Sequence, residues 1–178
     1  MRQLRIGLLA LGSLIASPAL ADDLHTCIYE SGETALQACT RAINSGDYKG
    51  VDLANAYINR GAEWLRKDDY DRAIADSTQA LKLFPDSTLA HSNRGLAWKM
   101  KGDLTQALAD YSEAIRIDPD NPAAYLNRAD IREAQGDRQG AIDDLKRALA
   151  AKPRKGKFVN VESYYQQARE ALERLSKQ

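Results

Sequence analysis

Few side chains in this sequence could carry chemistry of their own. The only cysteines and histidines are Cys27, Cys39, His25 and His91, which is little material for a metal site or a thiol enzyme. The sequence contains no paired-cysteine zinc spacing, His-Glu-x-x-His motif, Gly-rich phosphate loop or nucleophile elbow. Carboxylates and tyrosines are plentiful, but they follow helical periods. We therefore predict a protein that is not an enzyme and that has no catalytic residues, cofactor or metal site.

Composition and charge narrow the class of protein further. The chain has 178 residues, 44% of them hydrophobic, with 25 Lys and Arg against 25 Asp and Glu. It has only 11 Gly and 5 Pro, which argues against disorder and collagen-like structure. Because there is no basic excess, the sequence lacks the electrostatic footprint of a nucleic-acid or anionic-membrane binder. We predict a globular protein with no nucleic-acid partner.

Residues 1–21 are predicted to form a cleavable secretory signal. Two arginines precede an apolar stretch at 6–16, and small residues stand at Ala19 and Ala21, where a signal peptidase reads the chain. The apolar stretch is shorter than the roughly 20 residues that span a bilayer, so a retained anchor is the weaker alternative. We expect cleavage after Ala21, no stable membrane insertion afterwards, and a periplasmic or secreted location.

Export changes the interpretation of the two cysteines. An even pair in an exported protein usually forms one bridge, and Ser31-Gly32 is a turn signal between Cys27 and Cys39. Closing a loop of this length stabilises a fold by about 3 kcal/mol in the chain-entropy model. A redox-active pair is an alternative, although the spacing is unlike Cys-x-x-Cys. A metal site completed by His25 would lack a fourth ligand.

A repeat of 34 residues organises most of the chain. The repeating units are 54–87, 88–121 and 122–155. The matching residues are Tyr57, His91 and Tyr125; Asn59, Asn93 and Asn127; Arg60, Arg94 and Arg128; Gly61, Gly95 and Ala129; Ala73, Ala107 and Ala141; Asp76, Asp110 and Asp144; Ala80, Ala114 and Ala148; Pro85, Pro119 and Pro153. Eight columns at one fixed spacing are a strong signal of a repeat architecture.

The residue pattern of each unit predicts two helices joined by a turn. Turn residues stand at 67–69, 101–103 and 135–137, where Gly suits the left-handed end of a helix and Asp68 must replace it. The second helices are predicted over 71–84, 104–117 and 138–151. The first helices are predicted to begin near three N-cap residues, which are Asp52, Ser87 and Asn121.

This spacing and these columns resemble the tetratricopeptide repeat family. The resemblance rests on the small residues at 61, 95 and 129 and on the alanines that end in the unit-closing proline. The sequence departs from the family pattern at His91, in the first aromatic column, and at Arg132, in the second. The resemblance implies an all-α fold, namely a right-handed α-solenoid of helix-turn-helix repeats, whose concave groove binds proteins.

In every unit an Arg precedes an Asp by 16 residues. In a helical hairpin of this size, those positions face each other, which predicts half-buried ion pairs within the units. The predicted pairs are Arg60 with Asp76, Arg94 with Asp110, and Arg128 with Asp144. Binding of an acidic or phosphorylated ligand by the arginines is the alternative.

The Asn column turns to another face of the first helix. In the family this position lines the concave groove, so the resemblance implies a ladder of amides that binds a peptide. The predicted groove residues are Asn59, Asn93 and Asn127, with Ile58, Ser92 and Leu126 beside them; Ala62, Leu96 and Asp130 come next, then Leu65, Lys99 and Glu133. An Asn that only bonds to solvent or to a neighbouring repeat is the alternative.

One family subtype is disfavoured. Domains that hold a chaperone's C-terminal carboxylate use Lys and Asn in the first unit and basic residues later. Here the matching positions hold Ile58 and Ala62, then Leu126 and Asp130. We expect recognition of an extended or helical peptide through backbone and small apolar contacts instead.

The flanks resemble partial repeats. Residues 22–50 are predicted to form a degenerate helical hairpin, pinned by the disulfide, and a loop, because Ala35, Cys39 and Ala42 follow the spacing of the second helices. Residues 156–178 are predicted to form a loop and a capping helix, with three repeats at 51–155 between the flanks.

We therefore predict a scaffold or adaptor that binds a protein or peptide in its groove. One alternative is a homo-oligomer whose groove holds a neighbour's capping helix through Tyr164, Tyr165 and Leu172. Another is a redox or stress-linked periplasmic accessory that uses Cys27 and Cys39.

Overall fold

The computed structural model describes residues 18–152 and 161–177, with side chains from Asp23 onward. Within those ranges the chain is helical and has no strand. The helices are α1 (Pro18–Tyr29), α2 (Glu33–Ser45), α3 (Gly50–Arg66), α4 (Tyr70–Leu83), α5 (Thr88–Lys101), α6 (Leu104–Ile117), α7 (Pro122–Ala134), α8 (Arg138–Ala150) and α9 (Val161–Ser176). None of these helices is long and apolar enough to cross a membrane.

The helices form two layers. The first helix of each pair (α1, α3, α5 and α7) contacts the first helix of the next, and α9 takes the place of a further first helix after α8. Among the described residues, the second helices α2, α4, α6 and α8 do not contact one another. First helices therefore crowd together on the inside of a curve and second helices spread on the outside. The expectation of an all-α solenoid is confirmed.

The first helices of the three units end at the predicted turns, where one residue adopts a left-handed backbone conformation. Gly102 and Gly136 have φ values of 86° and 81°, and Asp68 adopts the same left-handed region with φ 58°. Ser87 and Asn121 cap α5 and α7 through hydrogen bonds to the backbone N–H of the residue three positions on.

The predicted cap at Asp52 is wrong. Helix α3 begins at Gly50, after Lys49, and Asp52 lies within its first turn. An acidic side chain in that turn still interacts favourably with the positive end of the helix dipole.

The N-terminal hairpin α1–α2 packs as a shortened repeat. Cys27 and Cys39 are joined as a disulfide, and both are buried in a cluster with Ala38, Ala42 and Ala56. At the loop end, the buried carboxylate of Glu63 accepts a hydrogen bond from the Gly32 N–H at 3.1 Å. Gly32 has no side chain to cap α2, so a carboxylate from α3 does this instead.

Helix α9 closes the other end of the array. It buries Ala168, Ala171 and Leu175 in one cluster with Tyr125 and Leu145. The Arg174 guanidinium pairs with the Glu133 carboxylate of α7 at 2.6 Å. The predicted leader up to residue 17, and the predicted unit-closing Pro153 with the segment up to residue 160, lie outside the described residues.

Two glycines test how closely the helices of a unit approach. A Cβ at Gly95 would lie 3.2 Å from Cε1 of the fully buried Tyr111, whereas a Cβ at Gly61 would come no closer than 3.4 Å to Ser77 Oγ. We expect Gly95→Ala to lower the free energy of unfolding by about 1–2 kcal/mol, because the Tyr111 ring has no room to move. Gly61→Ala should be neutral or stabilising by up to about 1 kcal/mol, since alanine favours the helix. Urea denaturation of both variants measures this, and an equal loss in both would contradict it.

Candidate functional site

All three Arg–Asp pairs are present, and each is bidentate. The Nε–Oδ2 and Nη2–Oδ1 distances are 2.7 and 2.8 Å for Arg60 with Asp76, 2.9 and 2.7 Å for Arg94 with Asp110, and 2.9 and 2.7 Å for Arg128 with Asp144. The aspartates are buried and the arginines half-buried. These pairs join the two helices of one unit.

The same arginines also reach the preceding unit. The Nη1 group of each donates to a hydroxyl on the second helix before it: Arg60 to Thr40 at 3.4 Å, Arg94 to Thr78 at 3.3 Å and Arg128 to Ser112 at 3.0 Å. These hydroxyls recur in a column of the sequence, but they were not among the predicted partners of the arginines. Because the guanidinium donors are used within the fold, the alternative of an acidic ligand on the Arg column gains no support here.

His91 makes a further contact with the aspartate of the Arg94–Asp110 pair. Its Nδ1 lies 3.0 Å from Asp110 Oδ1 and its Nε2 lies 3.2 Å from the Pro85 carbonyl oxygen. Burial raises the pKa of the Asp110 carboxyl, but hydrogen bonds from His91 and Arg94 lower it by more, so this pKa lies below its ordinary value of 3.8. His91 therefore replaces the aromatic ring of its column with a polar contact.

The three Asn side chains are partly exposed on the first helices, and their bonds differ. Asn93 Nδ2 donates to the Ile58 carbonyl oxygen at 3.3 Å, which links α5 to α3. Asn59 Nδ2 donates to the Asn55 carbonyl oxygen of its own helix at 2.9 Å. No hydrogen bond of the Asn127 side chain is found within the described ranges. No hydrogen bond to the amide oxygen of any of the three is found in the described part of the chain.

Two of the predicted groove residues are core residues. Ile58 is 4% exposed and packs with Ala54, Ala80 and Leu81 between the first two units. Leu126 is 7% exposed and lies in the cluster that α9 covers. Their positions face the next first helix rather than the open groove, so neither can provide contact area to a ligand. Ser92, the third member of that column, stays half-exposed.

An apolar stripe follows the open face of α5. Leu89 and Met100 are 58% and 53% exposed, and Leu96 between them is half-exposed. Spacings of seven and four residues place all three on one side of the helix, with Asn93. Sequence analysis named Leu96 but not Leu89 and Met100, which this helical spacing could have identified.

The charged groups near this stripe are paired. Lys99 Nζ binds Asp130 Oδ2 at 3.0 Å across α5 and α7, and Arg66 pairs with the buried Glu63. The groove of the described residues therefore offers amide oxygens and apolar surface, but not an unpaired cation at these positions. No group of three or more potential metal ligands occurs in the described part of the chain.

Comparisons with known proteins agree with this geometry. Residues 99–136 match the family described as TPR repeat, and residues 122–155 match the family described as tetratricopeptide repeat. No curated protein matches the sequence significantly.

Several solved structures share the fold. The Arabidopsis OM64 TPR domain aligns with a TM-score of 0.61 and 25% identity over 71% of this chain and 97% of that one. The first TPR of Spaghetti (RPAP3), bound to the HSP90 peptide SRMEEVD, aligns with a TM-score of 0.62 and 21% identity over 74% and 97% of the two chains. MamA aligns with a TM-score of 0.61 and 24% identity over 70% and 71%.

The pKa of Asp110 predicts a dependence of stability on pH. Because the folded pKa lies below the unfolded one, this carboxylate stabilises the fold above about pH 4 and the contribution is lost as the pH falls through the folded pKa. At pH 7, Asp110→Asn should lower the free energy of unfolding by about 3 kcal/mol, since Arg94 loses its buried partner.

Urea denaturation at a series of pH values measures both effects. The difference in stability between the native chain and Asp110→Asn should narrow as the pH falls below about 4. Asp143→Asn, an exposed aspartate on α8, is the control and should change stability little. A difference that stays constant down to pH 2 would refute the ionic role.

Proposed function

We propose that this chain is a tetratricopeptide repeat protein and acts as a non-enzymatic interaction module that binds a peptide or partner protein in its concave groove. The observation that carries the proposal is the open face of α5, where exposed Leu89 and Met100 flank Asn93 in the middle of the inner layer. Solved relatives of the same fold support it, because the first TPR of Spaghetti (RPAP3) binds an HSP90 peptide and the second TPR domain of human RPAP3 binds an HSP70 peptide.

The ligand chemistry should differ from that of these relatives. Their peptides, SRMEEVD and SGPTIEEVD, are acidic. In this chain Lys99 is paired with Asp130, and Arg66 is paired with Glu63, so each positive charge at these groove positions is balanced by a carboxylate. We propose a neutral or apolar segment, held by backbone hydrogen bonds to the Asn oxygens and by side-chain contacts to the α5 stripe.

Two double variants test the groove. We expect the amount of partner captured from a periplasmic extract to fall at least about fivefold in each variant. Asn59→Ala/Asn127→Ala removes polar contacts, and Leu89→Ser/Met100→Ser removes apolar contacts. Asn93 is left intact, since its bond to Ile58 links two helices.

Gln79→Ala/Gln139→Ala is the matched control. It removes two exposed side-chain amides from the outer second helices α4 and α8 and should retain partner like the native chain. Circular dichroism must show equal helicity in all variants. Equal retention by every variant would place the interface elsewhere, and measurable binding of the peptide SRMEEVD would contradict the proposed ligand chemistry.

The homo-oligomer alternative is less well supported. That alternative needs Tyr164 and Leu172 of α9 to contact a neighbouring chain. In the structure, both pack against the chain's own α7–α9 cluster. The Tyr165 hydroxyl donates to the Ala151 carbonyl oxygen at 2.7 Å. Helix α9 would have to leave its own chain before it could occupy another groove.

The location of the protein is also a proposal. We propose that it is exported to the periplasm or secreted and cut after Ala21, on the strength of the leader pattern and of a cysteine pair placed for a disulfide. Protein recovered from the cell envelope should then begin at Asp22, and a mature chain that begins at Met1 would refute this.

Burial of the disulfide favours a structural role over a redox role. Both cysteines are almost fully buried between α1, α2 and α3, so small thiols and thiolates have poor access to the sulfurs. We expect no free thiols to appear when the folded protein is held in a mild reductant, and two to appear once denaturant is added. Rapid, reversible appearance of thiols in the folded protein would instead support the redox alternative.

A further inference from the structure

A cleft of about 630 Å³ lies between the hairpin and the first repeat, away from the groove. Its walls come from α2 and α4, two second helices of the outer layer, and its floor comes from α3. The lining includes Leu36, Thr40, Arg60, Trp64, Arg72 and Ala75. The volume falls within the range of about 300–1,000 Å³ that is typical of small-molecule sites.

One part of the cleft is apolar and aromatic. Leu36 and Ala75 face it from opposite walls, and Trp64 contributes from the floor. The guanidinium carbon of Arg72 lies 3.8 Å from the centre of the Trp64 ring, a cation–π contact that holds the arginine against the floor. Because the guanidinium covers one face of the Trp64 ring, a flat ligand would contact Leu36, Ala75 and the part of the ring that Arg72 leaves open.

Charged side chains stand beside this apolar surface. The lining contains the arginines 41, 60 and 72 against Glu33 and Asp76. Glu33 is paired with Lys67 at 2.9 Å, Asp76 with Arg60, and Asp23 with Arg41 at 2.6 Å. These charges balance one another, so neither acid of the lining is left unpaired to repel an anion.

Arg72 is the cation best placed to bind an anion. It uses Nε and Nη2 on the Asp69 carboxylate, while no hydrogen bond of its Nη1 group occurs within the described residues. Its side chain is 60% exposed. A guanidinium can bind a second carboxylate through its remaining N–H groups.

The next repeat does not reproduce this arrangement. Gln106 stands 34 residues after Arg72, where the cation would be. Trp98, which matches Trp64, packs against the cluster of Ala107, Tyr111 and Ile131. Among the described residues, an arginine stacked on a tryptophan is thus found at the junction between the hairpin and the first repeat.

We propose that this cleft is a binding site for a small organic anion with a flat apolar body, such as an aryl or indolyl carboxylate. The ring lies against Leu36, Trp64 and Ala75, and the carboxylate accepts hydrogen bonds from Arg72. The site is separate from the concave groove and does not depend on the proposed groove function.

The probe is indole-3-acetate, titrated into the purified, uniformly ¹⁵N-labelled protein and followed by the indole N–H signals of Trp64 and Trp98. Trp64→Phe assigns the two signals. We expect saturable shifts of the Trp64 signal at submillimolar to millimolar probe and little change at Trp98. Indole-3-acetamide, which lacks the charge, should bind about tenfold more weakly.

Matched variants test the place and the charge. Ala75→Leu fills the cleft and should weaken binding at least about tenfold, whereas Ala109→Leu makes the same change at the exposed matching position of α6 and should leave binding unchanged. Arg72→Gln should bind indole-3-acetate and indole-3-acetamide with equal affinity. No shift of the Trp64 signal would overturn the site. If Ala75→Leu bound indole-3-acetate as tightly as the native chain does, the location of the site would be overturned. If Arg72→Gln bound indole-3-acetate and indole-3-acetamide with unequal affinities, the role of Arg72 would be overturned.

Discussion

The structure depends on one repeated polar contact, in which an arginine bridges two repeats. Each arginine binds the aspartate on the second helix of its own unit through two hydrogen bonds and reaches a hydroxyl on the second helix of the unit before it. The first contact sets how the two helices of a unit face each other, and the second sets how one unit stacks on the last. Burying such pairs adds little net stability, but a shifted helix would leave charges unpaired, so the contact specifies one arrangement.

This contact also determines which side of the array is free to bind. The arginines and aspartates meet where first and second helices face each other, so their charges are neutralised within the fold. Crowded first helices leave the other side of α3, α5 and α7 with amides and apolar side chains, among them Asn59, Leu96 and Asn127. The inner surface is therefore suited to a chain that brings backbone polar groups and apolar side chains rather than strong charge.

Much of the fold could be predicted from periodicity, because each repeated residue satisfies a local rule. The turn at Asp68 and the caps at Ser87 and Asn121 need only their immediate neighbours. The groove could not be predicted as well. Ile58 and Leu126 lie beside the Asn column in sequence, but the neighbouring first helix covers them, and how far that helix extends over a face depends on packing between units. The hydroxyl partners of the arginines were missed for the same reason, since they belong to another unit.

Three departures from the repeat lie near the junction between the hairpin and the first unit. The first unit buries the charged side chain of Glu63 at the position where the later units bury Ala97 and Ile131. It has Arg72 where the second unit has Gln106. In the preceding hairpin, a disulfide joins the two helices. A buried carboxylate is costly unless it is paired and hydrogen-bonded. Glu63 is both, because it pairs with Arg66 and accepts a hydrogen bond from the Gly32 N–H at the start of α2. The helix that this contact caps, α2, forms one wall of the cleft. Natural sequences tend to break local rules at functional sites; of these departures, Arg72 lines the cleft proposed as a binding site, and Glu63 directly precedes Trp64 of its floor.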